Sequence, residues 1–451
     1  MTRILILGGG IAGLTAAFRR ASDGETTVLE GGPRPGGSVV TVREDGFIVE
    51  GGPNTLRTTE AADRLLADLG LEPRLVVADA RAPRWIVRGG RPRALVPGPG
   101  ALFNDIFTLK GKLRALKEPF VPGRPADLED ESVASFFRRR FGEEAARYGA
   151  GPMVSGVYAG NPEALSVRSA FPKLWEAEGR AGSVVKGFLR KKKSGTAELP
   201  TRHRARTLTF DTGLYVLIET LQQRLNSRSG CRIELNSPAA AIEGPLSPPG
   251  PRWRVRVVDG RTFEADTLVS TLEAPLVAQL LGDRLRKSGG ALAAMKSSPV
   301  TVVALAWPDG PGSPRGFGAL VPRGEGIRSL GVLYPSSLFP GRAPAGSILT
   351  TSFLGGALDT ALAAASDADV RSVATDEAKR LHPGLPQAPS RSWIFRWPAA
   401  IPQIPLLHHR TLAAVDEDVA VLPGLVLTGS WRDGVALGER IASGERLGRS
   451  L

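Results

Sequence analysis

Cysteine is almost absent from this chain, with Cys231 the single one in 451 residues. That excludes a disulfide framework and a thiolate metal site, and the expected setting is a reducing cytoplasm. Histidine is nearly as scarce. His203, His382, His408 and His409 are too scattered to suggest a metal centre, and in a strand the adjacent pair would point apart. No run of about 20 apolar residues occurs, so no transmembrane helix is expected. The apolar start is broken by Gly8-Gly9-Gly10 and has only Arg3 as a basic lead, so no signal peptide is expected either. Acidic charge is in deficit, with 45 Asp and Glu against 58 Lys and Arg, a net +13 that favours anionic partners. The basic residues are spread along the chain without a zinc-finger, RNP or helix-turn-helix pattern, so nucleic acid is not an expected partner. An anionic membrane surface, a carboxylated substrate, or the arginine bias of a GC-rich genome each accounts for the excess.

What is present begins at the N-terminus. Ile4-Leu5-Ile6-Leu7 is a short apolar run suited to a strand buried on both faces, and Gly8, Gly10 and Gly13 follow with G-x-G-x-x-G spacing. Gly8 allows the tight turn, Gly10 lets backbone approach a pyrophosphate, and Gly13 lets the next helix lie close to the strand. The helix N-terminus offers free N–H groups to the phosphates. Glu30 closes the second strand 20 residues after Gly10, where an acid accepts hydrogen bonds from a ribose. The spacing therefore predicts a dinucleotide site.

Beyond Glu30, the pattern Glu30-Gly31-Gly32-Pro33-Arg34-Pro35-Gly36-Gly37, with Gly51-Gly52-Pro53-Asn54 after it, resembles the flavoprotein superfamily of amine oxidases, phytoene desaturases and protoporphyrinogen oxidases. The resemblance implies tightly held FAD rather than exchangeable NAD.

With 42% apolar residues, the chain can build a substantial core, and its length suggests two or three domains. Residues 60–69 read as an amphipathic helix and Gly89-Gly90 as a hairpin turn after a strand at Arg84. Helical spacing dominates residues 101–199, including 103–107, 109–116, 132–141 and 143–148. Near their end, Val184, Val185, Phe188 and Leu189 alternate with Lys186, Arg190, Lys191, Lys192 and Lys193, which suits either an interfacial helix on anionic lipid or a solvated basic face. Trp253, Val255 and Val257 alternate as a strand, and residues 299–402 read as an antiparallel sheet packed by a helix at 367–381. The expected fold class is α/β. A discontinuous Rossmann-like FAD-binding domain takes 1–80, 229–285 and 405–451, and an antiparallel-sheet substrate domain takes 81–100, 200–228 and 286–404. The α-helical insertion, 101–199, is a candidate for membrane association.

The resemblance narrows at Gly156-Val157-Tyr158-Ala159-Gly160-Asn161-Pro162. With Gly316-Phe317-Gly318-Ala319-Leu320-Val321-Pro322, Ile401-Pro402-Gln403 and Gly434-Val435-Ala436-Leu437, it is similar to the oxygen-dependent protoporphyrinogen oxidase family over nearly the whole chain. Carried over by position, the similarity implies a substrate arginine at Arg84, a backbone contact to pyrrole nitrogens at Gly156, and apolar ring contacts at Gly318, Leu320 and Phe353. Flavin contacts fall on Gly8, Gly9, Gly10, Ile11, Ala12, Gly13, Leu14, Glu30, Arg34, Gly36, Gly37, Ser38, Gly52, Pro53, Asn54, Thr55, Ala239, Gly429, Val435, Ala436 and Leu437. No catalytic side chain and no metal are implied, because an electron-rich porphyrinogen gives up hydride from a meso carbon without a nucleophile or strong base. The implied reaction turns protoporphyrinogen IX and O2 into protoporphyrin IX and hydrogen peroxide. Peripheral membrane contact, ferrochelatase or another haem-pathway enzyme, and a homodimer are the partners to test. Coproporphyrinogen III as substrate, an amine or carotenoid oxidoreductase, and a catalytically silent scaffold remain open alternatives.

Overall fold

Strand β1 (Arg3–Leu7) is buried on both faces, and alternation divides its side chains between two cores, Ile4 and Ile6 in one, Leu5 and Leu7 in the other. It is the centre of a five-stranded parallel sheet. The order is Cys231–Glu234, β2 (Glu25–Leu29), β1, Thr267–Ser270, Leu425–Leu427, so stretches far apart in sequence rebuild one sheet. This computed structural model describes residues 2–20, 24–95, 104–193, 205–247 and 250–451, without the side chains of 191–193. His203, Phe103 and the side chains of Lys191, Lys192 and Lys193 fall outside the described residues.

On the side of Ile4 and Ile6 lie helix α1 (Ile11–Arg19), helix Tyr215–Asn226 and the C-terminal helix Leu437–Ser450. The opposite side is covered by the antiparallel strands Ala239–Glu243, Trp253–Val257 and Thr262–Ala265 and by helix Ala274–Leu281. Trp253, Val255 and Val257 are all fully buried there, as their alternation requires.

A second sheet has seven strands in the order Arg391–Pro402, Ser297–Pro308, Ser347–Gly355, Gly331–Leu333, Gly318–Leu320, Arg84–Arg88, Arg91–Ala94. All its pairs are antiparallel except Gly318–Leu320 with Arg84–Arg88. One face carries Val303, Leu305 and Trp307 against helix Asp367–Leu381. The other, with Val300, Val302, Ala304 and Ala306, turns toward Phe47 and Val49, just ahead of Gly51. The hairpin at Gly89-Gly90 forms as expected, with φ of 62° and 73°, the left-handed pair a tight two-residue turn requires.

Within the helical region, Ser132 caps helix Val133–Phe141, and Glu143–Ala145 continues through a π-helical turn, Ala146–Ala150, into Gly151–Tyr158. One expectation changes. Residues 104–107 form bends rather than a helical turn, and the helix begins only at Leu109, capped by Thr108. His408 and His409 open helix His408–Ala420, which follows strand Arg391–Pro402 after a short turn through Pro405.

Candidate functional site

The turn after β1 sits at the carboxyl end of the parallel sheet, the position where such sheets bind ligands. A Cβ on Gly13 would lie 2.1 Å from the Gly8 carbonyl oxygen, so only glycine lets α1 approach the turn this closely. Gly10 is different: it caps α1, and a Cβ there would meet nothing within 4 Å. The first turn of α1 carries no acid and no capping side chain, which leaves its N–H groups free for an anion. Beside it, the Glu30 carboxylate accepts the N–H of Gly9 (2.9 Å) and of Gly32 (2.7 Å).

The second glycine pair docks against the first. Gly36 donates its N–H to the Gly9 carbonyl (2.8 Å), and a Cβ on Gly37 would stand 3.6 Å from the Cα of Gly10. Arg34 shapes this loop from inside it. Its guanidinium donates to the carbonyls of Pro35, Gly37 and Val39 and lies 5.6 Å over the Tyr215 ring. Ser38 then meets the third turn, because a Cβ on Gly52 would stand 1.9 Å from the Ser38 carbonyl oxygen. Asn54 closes that turn by donating to the Gly52 carbonyl (3.0 Å).

Two further segments carry the remaining expected cofactor residues. Ala239 begins a strand beside Ser237, whose N–H reaches the Glu30 carbonyl (2.8 Å). Gly429 follows the last sheet strand, and Val435 and Ala436 lead into the C-terminal helix at Leu437. That helix runs against α1 through glycine: a Cβ on Gly444 would be 2.4 Å from the Ala12 carbonyl oxygen, and on Gly448 2.5 Å from that of Ala16. The i, i+4 spacing puts both on one face. The Glu439 carboxylate accepts the Ala436 N–H (3.1 Å) at the start of this helix.

Strand register builds an apolar row on one face of the second sheet. Leu320, Gly331, Phe353, Val302 and Phe395 are successive Cα partners across the second sheet and therefore share one face. Gly331 supplies no side chain, and Leu320 leans over it, with Cδ2 3.5 Å from where a Gly331 Cβ would stand. Gly156, on helix Gly151–Tyr158, packs against the same leucine, since a Cβ there would be 2.7 Å from Leu320 Cδ2. Its carbonyl belongs to the last helical turn and accepts no hydrogen bond among the described residues. At the far end of the row, a Cβ on Gly51 would stand 2.4 Å from Phe395 Cδ1, and the Trp397 indole donates to the Gly51 carbonyl (2.7 Å). The row thus ends at the turn of Gly51 and Gly52.

The remaining expected residues are spread along the rim. Arg84 pairs with Gly318 in the parallel register and is exposed, its guanidinium 4.8 Å over the Phe317 ring. Gly318 itself is confined by backbone, for a Cβ would stand 2.5 Å from the Val332 carbonyl oxygen at a φ of 152°. Tyr158 lies nearby with its hydroxyl pushed up to about 12 by burial and, second, by Glu439, so it stays neutral at physiological pH.

Residues 11–446 match the family of flavin-containing amine oxidoreductases. The chain belongs to that family. Among the curated relatives of this flavin oxidoreductase, the chloroplastic protoporphyrinogen oxidase of Oryza sativa subsp. japonica is 32% identical over 96% of this chain and 85% of its own length. The coproporphyrinogen III oxidase of Bacillus subtilis is 28% identical, over 98% and 96%. A crystal structure from Exiguobacterium sp. 255-15, provisionally named a protoporphyrinogen oxidase, matches with a TM-score of 0.82 and 26% identity over 100% of this chain and 98% of that one. A redesigned putrescine oxidase shares the fold, with a TM-score of 0.72 at 15% identity over 100% and 98%. As a member of the family, the protein is an FAD-dependent oxidoreductase, and the donor set fits: free helix N–H groups, an acid at Glu30 and glycines where backbone must come close.

Sequence reading missed several residues that position this flavin oxidoreductase's site. Glu50, directly before Gly51, is buried with Arg342 and accepts from Arg342 Nη1 (3.0 Å), Thr41 Oγ1 (2.6 Å) and the Leu214 N–H (2.9 Å). Burial raises its pKa, an effect only partly offset by Arg342. A lone acid and an arginine 292 residues apart carry no local signal. Gly331 did carry one, because glycine inside a strand marks a place where something comes close.

Proposed function

We propose that this flavin oxidoreductase oxidises protoporphyrinogen IX to protoporphyrin IX with O2 as acceptor. The observation that carries the reading is the apolar row of Leu320, Gly331 and Phe353 on the sheet face that ends at the Gly51-Gly52 turn, which we read as the substrate slot. Likeness to proteins of that name over 96% and 97% of this chain supports it. Bound FAD supplies the two-electron chemistry, accepting hydride from the substrate and passing the electrons to dioxygen. Six electrons and six protons leave the porphyrinogen in three such cycles, matched by three O2 reduced to three H2O2.

The chain's own residues bind and orient. Leu320 and Phe353 exclude water from the macrocycle faces, the free Gly156 carbonyl accepts a pyrrole N–H, and Arg84 holds a propionate at the rim. FAD is held by Gly8, Gly9, Gly10, Ile11, Ala12, Gly13, Leu14 and Glu30, by Gly36, Gly37 and Ser38 on the loop that Arg34 braces, by Gly52, Pro53, Asn54, Thr55 and Ala239, and by Gly429, Val435, Ala436 and Leu437. Coproporphyrinogen III is the second reading, favoured by the Bacillus subtilis relative that matches almost end to end. Porphyrin fluorescence in air, with each substrate added to the FAD-loaded protein, separates the two by relative turnover. Absence of porphyrin above the uncatalysed rate with both would overturn the proposal.

The site faces a lipid surface in this reading. Helix Leu109–Leu116 buries no residue, and Leu109, Leu113 and Leu116 are 73%, 52% and 54% exposed on one stripe that continues to Phe120 at 84%. Lys186 lies 5.8 Å over the Phe120 ring, which joins this stripe to exposed Val185, Phe188 and Leu189 on helix Val184–Lys193. Lys110, Lys117 and Lys186 flank the apolar patch, as in proteins that lie on anionic membranes. No helix of the described residues is long and apolar enough to cross one. Co-flotation with phosphatidylglycerol vesicles at low salt is expected, and recovery in the soluble fraction there would count against it. Transfer of product to ferrochelatase or another haem-pathway enzyme, at the cytoplasmic face, and a homodimer belong to the same proposal and are read by pull-down and by light scattering.

A further inference from the structure

The Gly51-Gly52 peptide is held from one side only. Its carbonyl, on Gly51, accepts the Trp397 indole N–H at 2.7 Å, and Asn54 occupies the next carbonyl, that of Gly52, at 3.0 Å. The Gly52 N–H of the same peptide donates to no group among the described residues. In a trans peptide the carbonyl and N–H point in opposite directions, so fixing one aims the other. We infer that Trp397 is a positioning residue that fixes the polarity of the Gly51-Gly52 peptide and thereby presents the Gly52 N–H to FAD as a hydrogen-bond donor.

The surroundings leave little freedom for another arrangement. Gly51 donates its own N–H to the Val40 carbonyl (2.9 Å), while Phe395 occupies the place a Cβ on Gly51 would need. Gly52 is stopped on the other side by the Ser38 carbonyl, 1.9 Å from where its Cβ would stand. Trp397 is itself aimed by an irregularity in its strand. Between Val300↔Trp397 and Ser298↔Ile401 the register shifts, with extra residues on the Trp397 side at Pro398, Ala399 and Ala400. Such bulges turn a side chain away from the regular pleat, and Pro398 has no N–H to lose there. The ring packs against the buried cluster of Ala159, Val300, Val302 and Leu330, against which Phe353 also packs. The same tryptophan therefore shares a core cluster with Phe353 and grips the Gly51-Gly52 turn. A donor fixed by the protein before reduction stabilises the negative charge the cofactor gains without reorganising, so its loss makes reduction less favourable.

The inference rests on the FAD site assigned above but not on the identity of the substrate, so its test reads the cofactor directly. Trp397→Phe keeps an aromatic ring and removes the donor. FAD affinity is expected to fall about 3- to 10-fold, the worth of one hydrogen bond. The visible flavin bands should shift and the midpoint potential should drop, while the protein's unfolding temperature stays within the range of other core aromatic substitutions. With porphyrinogen as substrate, kcat should fall more than KM changes. Trp397→His, which restores an N–H, should recover part of the potential. If Trp397→Phe fails to fold, benzothienylalanine placed at position 397 keeps the ring shape without the N–H and is expected to show the same spectral shift and lower potential. Unchanged spectrum and potential in the donorless protein would overturn the inference. A shifted potential in a protein that makes no porphyrin would uphold it while refuting the substrate.

Discussion

Gly156→Ala separates stability from activity and so tests the slot directly. Alanine in place of glycine within a helix is worth about 0.5–1 kcal/mol in favour of folding. Against this, the new methyl would stand 2.7 Å from Leu320 Cδ2, closer than real contacts allow. That atom is the end of a flexible side chain, so Leu320 turns aside at a cost of about 0.5–1.5 kcal/mol for leaving its rotamer. The two effects nearly cancel, and the fold should be neither gained nor lost. The slot does not share that balance. The methyl and the displaced Leu320 take up room in the proposed slot, and overfilling of about 1–3 kcal/mol falls on the bound substrate. The expected loss in kcat/KM is about 5- to 150-fold, with FAD content and spectrum unchanged. Gly156→Ala combined with Leu320→Ala returns the space, and the double variant should be more active than the single one, a coupling that a thermodynamic cycle measures. Steady-state porphyrin fluorescence with both candidate substrates is the assay. A Gly156→Ala enzyme with wild-type kcat/KM, or a double variant no better than the single, would show that Leu320 and Gly156 do not line the substrate site.

Arg84→Ala should raise KM about 3- to 10-fold, the low end for a charge-assisted bond because the guanidinium is exposed, and an unchanged KM would remove Arg84 from the site. Arg140→Met leaves the buried Glu118 without its cation and should cost about 3–5 kcal/mol in chemical denaturation. Glu118 also closes the N-terminus of helix Val184–Lys193 through Ser183 Oγ (2.6 Å) and the Val184 N–H (2.8 Å), so hydrogen exchange in that helix should rise first. Burial alone would raise the Glu118 pKa, but Ser183, Arg140 and the Val184 N–H outweigh it and hold the carboxyl below its ordinary 4.5. A lowered folded-state pKa gives stability present above the ordinary value and lost as pH falls through the folded one. Helix protection should therefore survive to below pH 4.5 and then disappear, and protection lost already near pH 6 would contradict this. Gly444→Val drives a side chain into the Ala12 carbonyl, and it should separate the C-terminal helix from α1 and release FAD, seen as flavin fluorescence in the flow-through of a desalting column.

The dinucleotide half of this protein was legible in its sequence because the constraints are local. A strand buried on both faces must be apolar throughout, a turn approached by a helix must be glycine, and an acid that closes the second strand lies a fixed distance on. Gly8, Gly10, Gly13 and Glu30 satisfy those conditions within 30 residues, and the structure places them together. Resemblance extended the reading to Gly156, Leu320 and Phe353, which chain order alone could not have joined. What only the tertiary structure decided is the relation between distant segments. Register across five strands, not any motif, sets Leu320, Gly331, Phe353, Val302 and Phe395 on one face. The burial of Glu50 with Arg342 and the bond from Trp397 to Gly51 depend on chain crossings hundreds of residues long. Arg34 shows the same division from the other side: its place in the motif was readable, but only the folded loop assigns its guanidinium to three backbone carbonyls. Local sequence fixes what a residue is able to do, whereas the geometry of the packed chain selects which neighbour it does it to.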